Sequence, residues 1–185
     1  MKNHLVAIAI LPFLSATCLA ENTPVTSLDG NHILQLENSS SRDYFYITDA
    51  YTSSIYNDQS SAGIQRLELT VKSDLISGRG VGISLYDAIT IATEWEHLEK
   101  LESRLNALVK MLDTRLQQGD SIVIEYTPGR GSEVIVKNEY MGIIQGRDWF
   151  NALALASITT KAPLDTQMLQ ARTPQPDSSI AATVL

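Results

Sequence analysis

The sequence predicts an α+β fold in which an antiparallel β-sheet packs against helices, and three stretches carry this prediction. Residues 119–146 alternate polar and apolar side chains between turns, which is typical of an antiparallel meander of three strands. Residues 93–118 repeat leucine at intervals of three and four, as an amphipathic helix does. Residues 149–158 are apolar almost throughout, which predicts a helix buried between layers.

The first 20 residues predict a secretory signal peptide. Lys2 and His4 precede an apolar run, residues 5–14, that is too short to span a bilayer, and small residues follow it. We expect cleavage after Ala20 and a periplasmic or secreted protein, with lipidation of Cys18 as the alternative. No later stretch is long and apolar enough for a transmembrane helix, so stable membrane insertion is not expected.

Composition argues against several classes of function. The chain of 185 residues has a net charge of −7, which becomes −8 when Lys2 leaves with the signal peptide. An acidic chain with scattered basic residues is not expected to bind nucleic acid, because neutralising phosphates needs clustered Lys and Arg. Only one cysteine is present, and His32 and His97 lack metal-site spacing, so we expect no disulfide, metal or other cofactor.

The first half of the predicted domain consists of strands joined by polar segments. Residues 32–36 predict a short strand, and residues 38–43 predict a polar turn. Residues 44–56 are rich in aromatic and β-branched side chains, which favour a second strand. Residues 64–71 alternate most clearly, and we expect this strand to lie between the strand over residues 44–56 and the meander.

Two helices are predicted before the meander. The glycine-rich residues 73–82 predict a flexible connection into a helix over residues 83–92, because no Lys-Ser or Lys-Thr follows as a phosphate loop requires. The second helix is predicted to begin at Thr93, in a capping box with Glu96, and to end before Gly119. Its apolar stripe consists of Trp95, Leu98, Leu101, Leu105, Leu108, Leu112 and Leu116.

The last part of the chain continues the domain and then loses its pattern. Asp148 can cap the apolar helix over residues 149–158, and Pro163 begins a short helix over residues 164–172. Residues 21–172 therefore form one predicted domain. Residues 173–185 contain two prolines and no apolar period, which predicts a disordered tail.

The meander resembles the bacterial, exported branch of the chalcone isomerase-like family. A Gly-Asp pair, a Tyr-x-Pro-Gly-x-Gly turn and a Gly-x-Ile-x-Gly strand carry the resemblance, at Gly119, Asp120, Tyr126, Pro128, Gly129, Gly131, Gly142, Ile144 and Gly146. The order of predicted elements agrees from Ile64 to Gln170. The resemblance implies an open-faced sandwich, a large antiparallel β-sheet with a layer of helices packed on one face.

The resemblance also implies a cleft between the sheet and the helices. Plant members of the family close a chalcone to a flavanone, and other members bind fatty acids there without catalysis. The family's arginine before the early strand binds an oxyanion or a carboxylate, and Arg42 occupies the comparable place. Thr48 and Tyr51 on that strand are further candidate ligand-binding residues. The enzyme's tyrosine is replaced by residues 77–79, Ser-Gly-Arg, so no catalytic residue is assigned.

Three functions remain as hypotheses. The first is an exported, non-catalytic protein that binds a fatty acid or a similar apolar carboxylate. The second is an intramolecular lyase or isomerase of the chalcone isomerase type, which needs a positioned oxyanion site and orienting polar groups, whereas the sequence supplies Arg42 and little else. The third is an interaction module of the cell envelope. We expect the first, and we expect any partner to be a small apolar ligand.

Overall fold

The computed structural model describes residues 23–44, 47–60 and 62–158, except for the side chains of Thr48 and Ile158. The predicted signal peptide, the helix over residues 164–172 and the predicted tail lie outside this part of the chain. The described residues form one antiparallel sheet and three helices.

The sheet contains seven strands whose spatial order is their order along the chain. Each strand pairs antiparallel with the next. The strands are β1 (Val25–Thr26), β2 (Ile33–Tyr44), β3 (Ile47–Asp58), β4 (Gln65–Val71), β5 (Ser121–Thr127), β6 (Gly131–Val136) and β7 (Glu139–Ile144). The helices are α1 (Gly78–Ala92), α2 (Trp95–Met111) and α3 (Arg147–Ile158). The predicted fold class and the predicted meander are confirmed, and β4 lies between β3 and β5 as expected.

Turn chemistry explains the two tight connections of the meander. Gly129 has a φ of +79°, a value that glycine adopts without steric cost after Pro128. Lys137 and Asn138 have φ values of +52° and +65°, so both central residues of the second hairpin are left-handed. Such a pair matches the twist of the flanking strands, as in a type I′ turn.

One face of the sheet forms the core together with the helices. Leu67 and Leu69 of β4 pair in register with Ile124 and Ile122 of β5, and all four are fully buried. The helix layer contributes buried leucines from α2 and the buried side chains of α3. These are Leu101, Leu105, Leu108, Trp149, Phe150, Leu153 and Ala156.

The polar turn predicted over residues 38–43 is wrong, because this segment is the second half of β2, a strand of 12 residues. It pairs with β3, and Arg42 lies opposite Tyr51 while Ser40 lies opposite Ser53. Hydrogen bonds to β3 satisfy the main-chain N–H and C=O groups of this segment, so it can form a strand although few of its side chains are apolar. The two-residue apolar period that signals a strand is therefore missing from the sequence.

The flexible connection predicted over residues 73–82 is also wrong at its end, since α1 begins at Gly78. Ser77 caps the helix, and its hydroxyl accepts a hydrogen bond from the Gly80 amide at 3.1 Å. A Cβ on Gly82 would lie 3.1 Å from the Cα of Val109 on α2, and one on Gly78 would overlap the main chain after α2. These glycines allow α1 and α2 to approach closely.

The start of α2 differs from its prediction. Glu94 is the N-cap residue, and no side chain makes a capping hydrogen bond there, so the predicted capping box of Thr93 and Glu96 is wrong. Thr93 instead ends α1 with an extended backbone, and Glu94, which is also extended, is the one further residue before α2 begins. Trp95, expected in the apolar stripe, is 76% exposed. The helix ends at Met111, before the predicted end.

The predicted apolar helix after the meander is confirmed as α3, which crosses the inner face of the sheet. It begins at Arg147, so Asp148 lies within its first turn and not at the predicted cap position. Near its start, the ring of Phe150 stacks on Tyr126 of β5 with centroids 5.7 Å apart. Its last turn reaches β2, where the carbonyl group of Ser157 accepts hydrogen bonds from Ser40 and Arg42. Helix α3 therefore covers the surface on which the cleft was predicted, although its own Leu155 is 55% exposed.

Candidate functional site

The pairing of β2 with β3 brings two of the three predicted ligand-binding residues together. Arg42 and Tyr51 lie directly opposite each other, so their side chains share one face of the sheet. That face is the inner one, because Arg42 contacts α3 and Tyr51 contacts α1. Thr48 lies on β3, in the residues just before Tyr51, and its side chain is outside the described part.

The guanidinium group of Arg42 is bound to the C-terminal end of α3. Its Nε donates to the carbonyl oxygen of Ser157 at 3.1 Å, and its Nη2 donates to the carbonyl oxygen of Ala156. The hydroxyl of Ser40 donates to the same Ser157 oxygen at 3.1 Å. The end of a helix carries a partial negative charge, so the cation and the helix end are electrostatically complementary.

Tyr51 supplies a buried phenol beside this cation. Its side chain is almost fully buried, and its hydroxyl lies 3.1 Å from the hydroxyl of Ser84 on α1. Burial raises the pKa of Tyr51 above 10.0, although the Ser84 hydrogen bond and the charge of Arg42 oppose this effect. The phenol is therefore neutral near pH 7 and can donate a hydrogen bond.

A second tyrosine, Tyr44, lies near Tyr51, and we call the inner-face site around Arg42, Tyr51 and Tyr44 the Arg42 corner. The ring of Tyr44 packs against Gly80, where an added Cβ would lie 3.3 Å from the ring carbon Cζ. Burial, and secondarily the charge of Asp87, raise the pKa of Tyr44. Burial also raises the pKa of Asp87 itself. The corner thus brings together one permanent cation and two neutral phenols, which can donate hydrogen bonds to an anionic group, with the carboxyl group of Asp87 beside Tyr44.

Two serines of the corner were missed by sequence reasoning. Ser40 and Ser53 form a cross-strand pair, and Ser53 is fully buried. Within the described part of the chain, the hydroxyl of Ser53 has no hydrogen-bond partner. Assigning residues 38–43 to a turn hides Ser40 and its pairing with Ser53, although Ser53 itself lies in the strand predicted over residues 44–56, two residues after Tyr51. The two-residue spacing of Ser40 and Arg42 would place them on one face once the segment is treated as a strand.

A separate depression lies outside the core, between α1 and α2. It has a volume of about 200 Å³ and is lined by Tyr86, Trp95, Leu98, Glu99 and Glu102. Its two glutamates would repel a carboxylate ligand. Among the described residues, no three His, Cys, Asp or Glu side chains cluster as a metal site would require. No helix within those residues is long and apolar enough to cross a bilayer.

The protein is an open-faced α+β sandwich, because helices cover one face of its antiparallel sheet. Arg42 lies on the covered face and makes it a candidate anion site. The sequence matches the chalcone isomerase-like family over residues 20–170. The match spans more than half of the chain, which therefore belongs to this family. The resemblance inferred from the meander is confirmed at the level of the family.

A solved structure supports the same fold. A fatty-acid-binding protein from Arabidopsis thaliana superposes with a TM-score of 0.52, covering 74% of this chain and 86% of its own. The two sequences are 10% identical, so the similarity concerns the fold. It agrees with the predicted sheet and its single layer of helices. No curated protein sequence matches the chain.

Proposed function

We propose that this chain is an exported, non-catalytic member of the bacterial branch of its family, and that it binds a fatty acid or a similar apolar carboxylate between the sheet and the helices. The observation that carries the proposal is the position of Arg42, paired with Tyr51 on the inner face of the sheet. Export rests on the signal peptide predicted over residues 1–20.

The chemistry of the corner suits such a ligand. A guanidinium group is planar and permanently charged, and it can bind both oxygens of a carboxylate at once. Tyr51, as a neutral phenol, can donate a further hydrogen bond. The strand position opposite Tyr51 is the buried Val71, and Leu85 of α1 is buried beside Ser84. These apolar side chains would contact an acyl chain that took the place of side chains packed against them, next to the polar head group.

The family and the similar structure add support. The Arabidopsis protein is described as a fatty-acid-binding protein, and it shares this fold. Binding, rather than catalysis, also fits the donors at the corner. They can hold an anion, whereas a permanently charged guanidinium group and a neutral phenol supply no general base near neutral pH.

Binding of palmitate tests the proposal, with 1-hexadecanol as a ligand that lacks the carboxylate. We expect palmitate to raise the melting temperature of the purified protein in proportion to the logarithm of its concentration once it exceeds Kd. Arg42→Met should weaken palmitate binding about tenfold or more, since a hydrogen bond to a charged group contributes ~1.5–3 kcal/mol.

The matched control is Arg104→Met, which removes an arginine bound to the other end of α3. It should leave the affinity for palmitate within about twofold, because Arg104 contacts Asp148 and Gln145 at the start of α3, the end opposite to Arg42. Equal binding of palmitate and hexadecanol, or equal affinity of the two arginine variants, would show that Arg42 does not bind the head group. Absence of palmitate binding by the wild-type protein would refute the proposal itself.

A further inference from the structure

The last turn of α3 occupies the donors at the Arg42 corner in the way that a carboxylate would. Two consecutive carbonyl oxygens, those of Ala156 and Ser157, accept from Nη2 and Nε of Arg42. The Ser157 oxygen also accepts from Ser40. Two oxygens facing the fork of one guanidinium group is the arrangement of a bidentate arginine–carboxylate pair.

One donor at this place remains unused. Ser53 lies opposite Ser40 on the same face of the sheet, is fully buried, and has a hydroxyl without a partner among the described residues. A buried hydroxyl without a hydrogen bond is unfavourable, and native structures rarely retain one without a reason. Ser53 lies beside Ser40. A carboxylate bound there has more lone pairs than a peptide carbonyl and could therefore accept a hydrogen bond from the Ser53 hydroxyl as well.

The opposite end of α3 is held independently of this corner. Arg104 of α2 donates to both carboxylate oxygens of Asp148, at 2.9 and 2.8 Å, and to the carbonyl oxygen of Gln145 at 3.1 Å. Its guanidinium group also lowers the pKa of Asp148, so the carboxylate stays charged near neutral pH. The first turn of α3 can therefore stay in place when the last turn moves.

We propose that the last turn of α3 is an internal occupant of the head-group site, which a fatty acid must displace, and that Ser53 is a further head-group-binding residue. This inference rests on the proposed function. A carboxylate carries a full negative charge, whereas the end of a helix carries about half a charge, so the ligand is the stronger acceptor for Arg42. The acyl chain takes the place of Leu153 and Ala156 on the inner face.

Replacement of Ser53 tests its assigned role. Ser53→Ala should weaken palmitate binding about tenfold, the effect of losing one hydrogen bond to a charged group. It should leave the melting temperature of the ligand-free protein unchanged or higher, because the hydroxyl it removes has no partner there. Ser132→Ala is the matched control, since Ser132 is also fully buried with an unpartnered hydroxyl but lies on β6. Its affinity for palmitate should equal that of the wild type.

Weakening the last turn of α3 tests the competition. Ala156→Gly disfavours the helix, and we expect it to lower the melting temperature of the ligand-free protein yet tighten palmitate binding up to about fivefold, because less of the protein is held in the blocked form. Ala107→Gly makes the same change in α2, away from Arg42, and should lower the melting temperature without changing the affinity. Hydrogen exchange should rise with palmitate over residues 153–158 and stay unchanged over residues 147–150.

The outcomes separate this inference from the function on which it rests. If the wild type binds palmitate, but Ser53→Ala and Ser132→Ala bind equally and Ala156→Gly gains no affinity, then the internal-occupant inference is wrong while fatty-acid binding stands. Slower exchange of residues 153–158 with palmitate would also overturn it, because α3 would then stay in place. If the wild type binds no palmitate, both proposals fail.

Discussion

At the scale of single residues, the interior corner depends on polar groups whose protonation is set by burial. Tyr51 lies on the inner face with its hydroxyl on Ser84, and burial is the main cause of its raised pKa. A phenol whose pKa is higher in the folded than in the unfolded state keeps its full contribution to stability below about pH 10. That contribution is lost as the pH rises through the folded-state pKa. The corner should therefore weaken in alkali.

The residue-scale prediction concerns Tyr51→Phe. Near pH 7 the variant should lose about 1 kcal/mol of unfolding free energy with the Ser84 hydrogen bond. Above about pH 10 its stability should fall less steeply than that of the wild type, because the buried ionisable group is gone. Urea unfolding between pH 7 and 11 measures both effects. Tyr140→Phe, at a position 60% exposed, serves as the control and should follow the wild-type profile. Parallel profiles for Tyr51→Phe and the wild type would contradict the prediction.

At the scale of elements, the sequence predicts a strand or helix correctly where the spacing of its apolar residues matches the side of the element that is buried. The meander is predicted because its apolar residues alternate regularly and Pro128-Gly129 marks a turn within it. Helix α3 is predicted because its residues are apolar almost throughout. The start of α1 was missed because glycine is a poor helix former, and contact with α2 overrides that preference. The second half of β2 was missed because its serines carry no apolar period. The site shares this limit. Arg42 and Tyr51 follow from the family resemblance, whereas Ser53 lies in a predicted strand, and only the structure shows that its buried hydroxyl lacks a hydrogen-bond partner among the described residues.

The element-scale prediction concerns the contact of α1 with the end of α2. Gly78→Ala places a methyl group on the main-chain oxygen of Leu112, which cannot move as a flexible side chain would. It also strains the hydrogen bond from the Gly78 amide to the Thr114 oxygen, 3.0 Å in length. We expect a loss of about 2–3 kcal/mol of unfolding free energy, since overpacking outweighs the ~1 kcal/mol gained in helix propensity.

Urea denaturation of Gly78→Ala measures this loss. The matched variant is Thr90→Ala, an exposed position on the same helix, which should stay within ~0.5 kcal/mol of the wild type. If Gly78→Ala were as stable as Thr90→Ala or more stable, the prediction would be wrong. The start of α1 would then accept a side chain at residue 78, and the contact with Leu112 would not require glycine.

At the scale of the whole molecule, a buried ion pair ties the first described residues to the centre of the sheet. Arg66 of β4 and Glu125 of β5 lie opposite each other on the face away from the helices, and their side chains are 8% and 3% exposed. The guanidinium group also donates to the carbonyl oxygen of Thr26 at 2.7 Å, and the carboxylate accepts from the amide of Leu28 at 2.8 Å. The charged positions on β4 and β5 alternate like a solvated face, so the sequence alone does not reveal this burial.

The last prediction concerns this pair. Glu125→Gln should lose about 3–5 kcal/mol of unfolding free energy, because it leaves the guanidinium of Arg66 buried without a counter-charge. The double variant Arg66→Met/Glu125→Leu should lose clearly less, since two apolar side chains need no pairing, although Thr26 and Leu28 lose their partners. Urea unfolding of both variants gives the comparison. Asp113→Asn breaks the exposed Arg79–Asp113 pair and should stay within ~0.5 kcal/mol of the wild type. A double variant no more stable than Glu125→Gln would mean that the bonds to Thr26 and Leu28, rather than the buried charge, determine the stability of this face.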